Sequence, residues 1–269
     1  MALLIVAIFL LLVVGEGVSP AIDLHTLSNL AQQNTLQVSS RAHPDSQGGT
    51  TGILKTGAGL RDLPLGTPVS ILQAAANAMS KQLAKALLEK EIDNSWGAVH
   101  SELGFSTKEK AYAFFLGMAT RESTLNAATE TGSDSAHSYG LIQTAETAYA
   151  NANPSYTPEH NVPEMKQYAF TPQNFYDPGI AIYMGIRHLI HFARLARAEG
   201  FHGTQLLRHA LMGYNTGYVN TTDSSWMAQY SDEIGAMAGW YLHDGHLHDA
   251  MTTWTGDPRV DRSQPWGWY

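Results

Sequence analysis

The residues best suited to chemistry stand in four short segments in the middle of the chain. These are an Arg-Glu-Ser sequence around Glu122, a Tyr-Gly-Leu-Ile-Gln sequence ending at Gln143, an Asp-Pro pair at Asp177, and a Gly-Tyr-Asn-Thr-Gly sequence around Asn215. A carboxylate in the last turn of an apolar helix is desolvated, which raises its pKa and makes it a proton donor. Glu122 is therefore the candidate general acid.

Helices are predicted to position these segments. Apolar residues recur every three or four positions from Val69, again after a Ser106–Glu109 capping box, and again from Trp226. Asp177 followed by proline predicts the start of another long helix, and Thr204 that of a shorter one. Period-two alternation is weak, so strands are expected only between 129 and 143. The predicted class is mainly α, with little or no β-structure and a substrate cleft.

The four segments, in this order, resemble the soluble lytic transglycosylases and goose-type lysozymes of the lysozyme superfamily (glycoside hydrolase family 23-like). The resemblance covers about 111–235. The family's usual Ala-Tyr-Asn-Ala-Gly stands here as Gly-Tyr-Asn-Thr-Gly, and Ile142 replaces a methionine. Neither departure changes charge, so catalysis is expected to be retained.

The resemblance implies a role for each matching residue. Glu122 would protonate the glycosidic oxygen, Ser123 and Gln143 would hold an N-acetyl sugar beside it, and Tyr214 would hydrogen-bond the acid or the substrate. The full set of expected substrate-binding residues is Ser123, Ser138, Gly140, Gln143, Tyr214 and Asn215. Hydroxyl and amide groups hold a buried acid in place without adding charge.

A second carboxylate decides the mechanism. An inverting hydrolase needs a base about 6.5 to 9.5 Å from the acid, to leave room for a water. Asp134 is the candidate, although the Gly-Ser-Asp-Ser sequence around it is also typical of an ordinary turn. If Asp134 is only a turn residue, a single acid suffices for the transglycosylase route. Both routes stay open at this point.

Composition excludes several other classes. The 269 residues contain no cysteine, which excludes disulfides, thiolate metal sites and a cysteine nucleophile. The net charge of -8, from 24 acidic and 16 basic residues without a basic run, argues against nucleic-acid partners. The 12 histidines include His188, His191 and a His-rich segment at 243–249, interpreted as packing or solvated residues and not as a metal site. No metal or cofactor is expected.

The chain is predicted to have four parts. Residues 1–21 are interpreted as a secretory signal, with an uncleaved anchor as the alternative, and 22–67 as a low-complexity pro-segment or linker. Residues 68–250 form the predicted catalytic domain. In the aromatic tail, 251–269, the rings either pack onto the domain or grip a glycan. Asn220 begins the one N-glycosylation sequon.

These observations together predict a secreted, extracellular monomer that cleaves glycans with Glu122 as its acid. The expected bond is the β-1,4 linkage between N-acetylmuramic acid and N-acetylglucosamine in peptidoglycan, cut by hydrolysis as in a muramidase or by lytic transglycosylation. The alternatives are a chitin-cleaving enzyme and a non-catalytic sugar-binding module on the same scaffold. The expected partner is peptidoglycan or a related N-acetylglucosamine polymer, without stable membrane association once the signal is removed.

Overall fold

The structure, a computed structural model, describes residues 60, 66–133, 136–150, 165–219, 225–244 and 260–269. All of them belong to one unit, Gly57–Tyr269. The described residues form eight α-helices: α1 (Val69–Asn77), α2 (Lys81–Asn94), α3 (Trp96–Leu103), α4 (Lys108–Ser123), α5 (Pro172–Tyr176), α6 (Pro178–Ala198), α7 (Gly203–Thr216) and α8 (Ser225–Asp244). None of these helices is both long enough and apolar enough to cross a membrane.

A small antiparallel sheet follows α4. Its strands are β1 (Glu130–Ser133), β2 (Ala136–Tyr139) and β3 (Thr144–Ala145), with β2 in the middle. A single turn of 3-10 helix, Glu146–Ala148, comes directly after β3. The prediction of a mainly α protein is confirmed, and the first two strands lie where strands were expected.

Local signals explain most of the helix boundaries. The side chain of Asp177 accepts a hydrogen bond from the amide of Ile180 at 3.0 Å, and Pro178 is the first residue of α6, as predicted. The apolar pattern from Val69 predicted one continuous helix, but Ser80 caps a second helix, α2, with its side chain. Because the apolar period continues across the break, periodicity alone does not reveal it.

The start of α4 differs by one residue from the prediction. Thr107, not Ser106, is the N-cap, and its hydroxyl accepts from the amide of Lys110 at 3.3 Å. Sequence reasoning missed α3 and α5, which have eight and five residues. Helices this short show too few apolar repeats to give a periodic signal.

The core lies between α4, α6, α7 and α8. The helices α4 and α8 approach very closely at Gly117, where an added Cβ would lie 2.8 Å from the carbonyl oxygen of Ile234 and 2.9 Å from the amide of Ala238. Further along the same contact, the hydroxyls of Thr120 and Tyr241 are hydrogen-bonded at 2.6 Å in the buried interior. The helix that carries Glu122 is thus packed directly against α8.

The last ten residues pack back onto this core. The indole of Trp268 donates to the carbonyl of Gly235 at 2.7 Å, and the indole of Trp266 donates to Asp232 at 2.8 Å. The hydroxyl of Tyr269 donates to the carbonyl of Leu103 at the end of α3. Of the two interpretations of the aromatic tail, the described rings fit the packing one.

Candidate active site

Glu122 lies in the last turn of α4 and is partly buried. Burial raises the pKa of its carboxyl group, while a hydrogen bond from Tyr230 and the positive charge of Arg121 act in the opposite direction and lower it. The net direction is upward, so Glu122 holds a proton at a pH where an exposed glutamate has lost it. This is the property that a general acid needs.

The helix ends directly after the acid because the backbone turns left-handed. Thr124 and Leu125 have φ values of 52° and 61°, and Thr124 closes the helix through its amide. Among the described residues, the only other non-glycine with positive φ is Gln143, at 49°. A left-handed conformation is unfavourable for these residue types, and such conformations often mark functional sites. All three flank Glu122 or belong to the turn attached to it.

On one side of the acid lies α8. The buried hydroxyl of Tyr230 donates a short hydrogen bond to Oε1 of Glu122. The guanidinium of Arg121 lies 5.3 Å from the centre of the Tyr230 ring, and its Nε donates to Glu233 at 3.0 Å. Gln229 donates to the other carboxylate oxygen of Glu233. Two adjacent residues of α4 are therefore attached to one face of α8.

On another side lies the turn between β2 and β3. The buried hydroxyl of Ser123 donates to the carbonyl of Leu141 at 2.7 Å, and that of Tyr214 donates to the carbonyl of Ile142 at 2.8 Å. The end of α4 and the end of α7 thus hold neighbouring peptide groups of the same turn. Burial, together with the charge of Glu122, raises the pKa of Tyr214, so its hydroxyl stays protonated as a donor.

Gln143 fastens this turn to the hairpin. Its amide nitrogen donates to the carbonyls of Thr129 and Gly140, both at 2.9 Å, and its oxygen accepts from the hydroxyl of Thr131 at 2.5 Å. Both amide protons are therefore used within the protein. The sugar contacts expected of Gln143, Ser123 and Tyr214 stay predictions, while their protein contacts are structural.

The other predicted site residues lie around this turn. Ser138 is partly buried on β2 opposite Thr131, Gly140 has a φ of 80° that favours glycine, and Asn215 is exposed at the end of α7. Asp134, the predicted second carboxylate, and Asn220, the glycosylation candidate, lie outside the described residues. The geometry thus brings Ser123, Gly140, Gln143 and Tyr214 together near Glu122.

The described residues offer no evident metal centre. No group of three or more histidine, aspartate or glutamate side chains among them could hold a metal ion. His188 and His191 lie in the buried part of α6, and burial, with smaller effects of His191 and Arg187, lowers the pKa of His188 to about 3.

Sequence reasoning missed the residues that hold the acid from α8. In the sequence, Tyr230 is only one member of the apolar helical face that begins at Trp226, because tyrosine counts as apolar in a periodicity search. Glu233 lies 112 residues from its partner Arg121, and no local pattern links the two. Only their positions on a helix facing α4 reveal their role.

Comparison with known proteins identifies the family. The model of the Cel124 C-terminal catalytic domain matches residues 79–242. CtCel124, a cellulase from Clostridium thermocellum, is 55% identical, with a TM-score of 0.70 over 77% of this chain and 98% of that chain. A GH124 cellulase from Ruminiclostridium thermocellum, solved with Mn and fructosylated cellopentaose, is also 55% identical, with a TM-score of 0.70 over 76% of this chain and 97% of that one. No curated protein sequence matches the chain.

The helical fold thus belongs to a glycoside hydrolase, an enzyme that acts on glycans. The chain belongs to the family of the Cel124 C-terminal catalytic domain.

This result corrects the identification made from the short segments. The assignment to the lysozyme superfamily is wrong, and so are the expected peptidoglycan cleavage, the muramidase or lytic transglycosylase activity, and the N-acetylglucosamine polymer as partner. The physical reason lies in what the segments do. Ser123, Gln143 and Tyr214 hydrogen-bond the backbone or side chains around the acid. Their pattern indicates how an acid is held in place, and it contains no information on the substituents of the sugar.

Proposed function

We propose that this protein is a secreted cellulase that hydrolyses the β-1,4-glucosidic bonds of cellulose and cello-oligosaccharides, with Glu122 as the general acid. The observation that carries the proposal is the 55% identity to CtCel124, a cellulase, over 98% of that chain. A relative with 55% identity was solved with fructosylated cellopentaose. These relatives supply the substrate class, and the raised pKa of Glu122 supplies the chemistry.

Electrostatics also favour an uncharged substrate. The chain carries a net charge of -8 at neutral pH, with histidines neutral. An anionic wall polymer would be repelled by a surface of that sign, whereas a glucan of unmodified glucose carries no charge. A neutral polymer therefore needs no basic surface for binding.

The proposed reaction begins with proton transfer from Glu122 to the substrate. Glu122 donates its proton to the glycosidic oxygen as the bond from that oxygen to C1 breaks, so the leaving sugar departs with a neutral hydroxyl. A water oxygen then bonds to C1, and the proton that this water loses balances the one that Glu122 gave up. Asp134 stays the predicted base for an inverting version of this step.

The activity test uses a matched pair of variants on one helix. Glu122→Gln removes the ionisable proton but keeps the size of the side chain and an oxygen that accepts from Tyr230. Glu109→Gln makes the same change in the exposed first turn of α4. With cellopentaose and swollen cellulose as substrates, we expect Glu122→Gln to lower kcat by about 10²- to 10⁴-fold and Glu109→Gln to leave it unchanged.

The products distinguish cellulose hydrolysis from peptidoglycan or chitin cleavage. Reducing cello-oligosaccharides from the wild type, with peptidoglycan and chitin oligomers left intact, are expected. Proton NMR of the first products reports the configuration at C1; inversion makes Asp134→Asn the next variant, whereas retention removes Asp134 as a base. Undiminished cellopentaose cleavage by Glu122→Gln would contradict the assignment of the acid.

Secretion belongs to the same proposal, because an insoluble polymer is degraded outside the cell. An apolar run from Ala2 to Val14, followed by small residues up to Ala21, is typical of a secretory signal. N-terminal sequencing of the exported protein from a bacterial host tests this. A mature chain that begins near Ile22 is expected, and retention of the full chain in the membrane fraction would contradict it.

A further inference from the structure

Tyr230 reaches the carboxyl group of Glu122 from another helix, α8. Its hydroxyl donates to Oε1 of the acid, and the residue is almost fully buried, with 4% of its surface exposed. With so little exposed surface, Tyr230 is expected to influence the reaction through its hydrogen bond to Glu122.

The direction of this hydrogen bond is fixed by the chemistry of the phenol. Burial, followed by the negative charge of Glu122, raises the pKa of the Tyr230 hydroxyl well above its ordinary value. The hydroxyl therefore keeps its proton and can only donate to a carboxylate. Because Oε1 accepts that proton, the transferable proton of the neutral acid belongs on Oε2.

The Tyr230 ring is itself held in place. The guanidinium of Arg121 lies 5.3 Å from the ring centre, and Glu233 on α8 binds that guanidinium at 3.0 Å. The close approach of α4 and α8 at Gly117 fixes the spacing between the two helices. The phenol is thus placed by one ion pair and one helix contact, and neither contact involves the carboxyl group of Glu122.

We propose that Tyr230 is the positioning residue of the general acid: it holds the carboxyl of Glu122 in one rotamer, keeps the transferable proton on Oε2, and stabilises the carboxylate that proton transfer leaves behind. The inference rests on the proposed function, because it assigns Tyr230 a part in the same acid step. A hydrogen bond to a charged acceptor is stronger than one to a neutral acceptor. The contact therefore strengthens as the reaction proceeds, which is the condition for accelerating it.

The charged and titratable groups around the acid set the expected pH response. Arg121 on α4 and Tyr230 on α8 both lower the pKa of Glu122, against the upward effect of burial. Tyr214 on α7 interacts with the charge of Glu122, and Glu233 on α8 forms an ion pair with Arg121. Removal of the Tyr230 hydroxyl leaves the other three in place, so the pKa of Glu122 rises.

A matched control is available in the same helix pair. Tyr241 also lies on α8, is also buried, and hydrogen-bonds Thr120 of α4 at 2.6 Å without touching Glu122. Tyr230→Phe and Tyr241→Phe therefore each remove one buried hydroxyl between the same two helices. A merely structural loss affects both variants alike.

The kinetic experiment measures kcat and KM on cellopentaose from acidic to alkaline pH. A general acid works only while protonated, so the rate falls as the pH rises through its pKa. For Tyr230→Phe we expect kcat to fall by about 10- to 100-fold, KM to change by less than about 2-fold, and the alkaline limb to move to higher pH. For Tyr241→Phe we expect the alkaline limb of the pH–rate profile to lie at the same pH as in the wild type. An unmoved limb in Tyr230→Phe, or an equal shift in both variants, would overturn the proposal.

Two further measurements test the proposal if the kinetic experiment shows no cellulase activity or if Tyr230→Phe does not fold. Carbon-13 NMR of labelled glutamate carboxyls, assigned with Glu122→Gln, follows the titration of Glu122 without any substrate, so it tests the inference even if cellulase activity is absent. If Tyr230→Phe does not fold, 3-fluorotyrosine at position 230 keeps the ring and hydroxyl but donates more strongly. The alkaline limb and the carboxyl titration should then move to lower pH, and an unchanged titration would overturn the proposal.

Discussion

The two structures that flank Glu122 are stabilised in different ways. On one side, the α4–α8 helix pair is joined by backbone contact at Gly117 and by the buried pair Thr120 and Tyr241. On the other side, the β1–β2 hairpin and its following turn are joined through the side chain of Gln143, with Thr131 exposed at the surface. The helix pair depends on close packing, whereas the hairpin depends on polar hydrogen bonds.

The difference separates two requirements of the reaction. The acid must keep one rotamer and a shifted pKa, which requires rigid, dry surroundings. A polymer must also gain access, which requires exposed polar groups beside the acid. The register places Thr131 and Ser138 on one face of the hairpin, and Glu130 and Tyr139 on the other. The helix pair therefore meets the first requirement of the proposed reaction. On the hairpin, Thr131 is exposed and hydrogen-bonds Gln143, so its face is the one that presents a polar group.

The largest expected effect comes from separating the two helices. Gly117→Val places side-chain atoms against the backbone of α8, since even a Cβ would lie 2.8 Å from the Ile234 carbonyl oxygen. Such overpacking lowers the free energy of unfolding by about 3 kcal/mol. Because Tyr230 moves with α8, kcat should also fall more than about 10-fold. Urea unfolding and cellopentaose kinetics measure both effects.

Gly97→Val is the control for this substitution, because an added Cβ there meets nothing within 4 Å. It should change stability by less than about 0.5 kcal/mol. If the two valine variants are equally stable, the helix contact does not fix the spacing of α4 and α8.

A smaller effect is expected in the hairpin. Gln143→Leu removes three hydrogen bonds and leaves the buried carbonyl of Gly140 without this partner. We expect a loss of about 1 to 3 kcal/mol in stability and a raised KM, because the hairpin loses its attachment to the turn. Gln82→Leu on the exposed face of α2 is the control. A change in kcat alone, with KM and stability as in the wild type, would argue against a separate role for the hairpin.

Burial of the Glu122 carboxyl group should lower the stability of the folded protein at neutral pH. Its raised pKa means that the folded state binds the Glu122 proton more tightly than the unfolded state does. Stability therefore falls as the pH rises from the ordinary glutamate pKa through the raised one. Glu122→Gln should thus raise Tm at neutral pH, and the difference should vanish under acidic conditions. Thermal unfolding of both proteins at several pH values measures it, and a variant less stable at every pH would contradict this account.

The smallest effect is expected at Glu130, on the hairpin face that also carries Tyr139. Glu130 accepts from the Tyr176 hydroxyl at 2.8 Å and lies 3.2 Å from His137, with about a third of its side chain exposed (30%). Solvent screens such contacts, so Glu130→Gln should change stability by less than about 1 kcal/mol and leave kcat unchanged. A large loss of activity would instead place Glu130 in the reaction.

Several features of the fold could be predicted from the sequence because their signals are local. Asp177 and Pro178 mark the start of α6, the spacing of Trp226 to Tyr241 gives α8, and the apolar stretch before Glu122 places the acid at a helix end. The helices α3 and α5 were missed because they are short. The family was misidentified because segments that hold an acid in place look alike whichever glycan is cleaved.

The sequence by itself determined the helical class, the candidate acid and the small strand region, since capping and periodicity act over a few residues. Only the tertiary structure decided what surrounds the acid. Tyr230 lies 108 residues from Glu122 along the chain, yet the packing of α8 on α4 brings its hydroxyl to the carboxyl group. The pKa of an acid depends on burial and on neighbouring charges, and these neighbours come from helices distant in sequence.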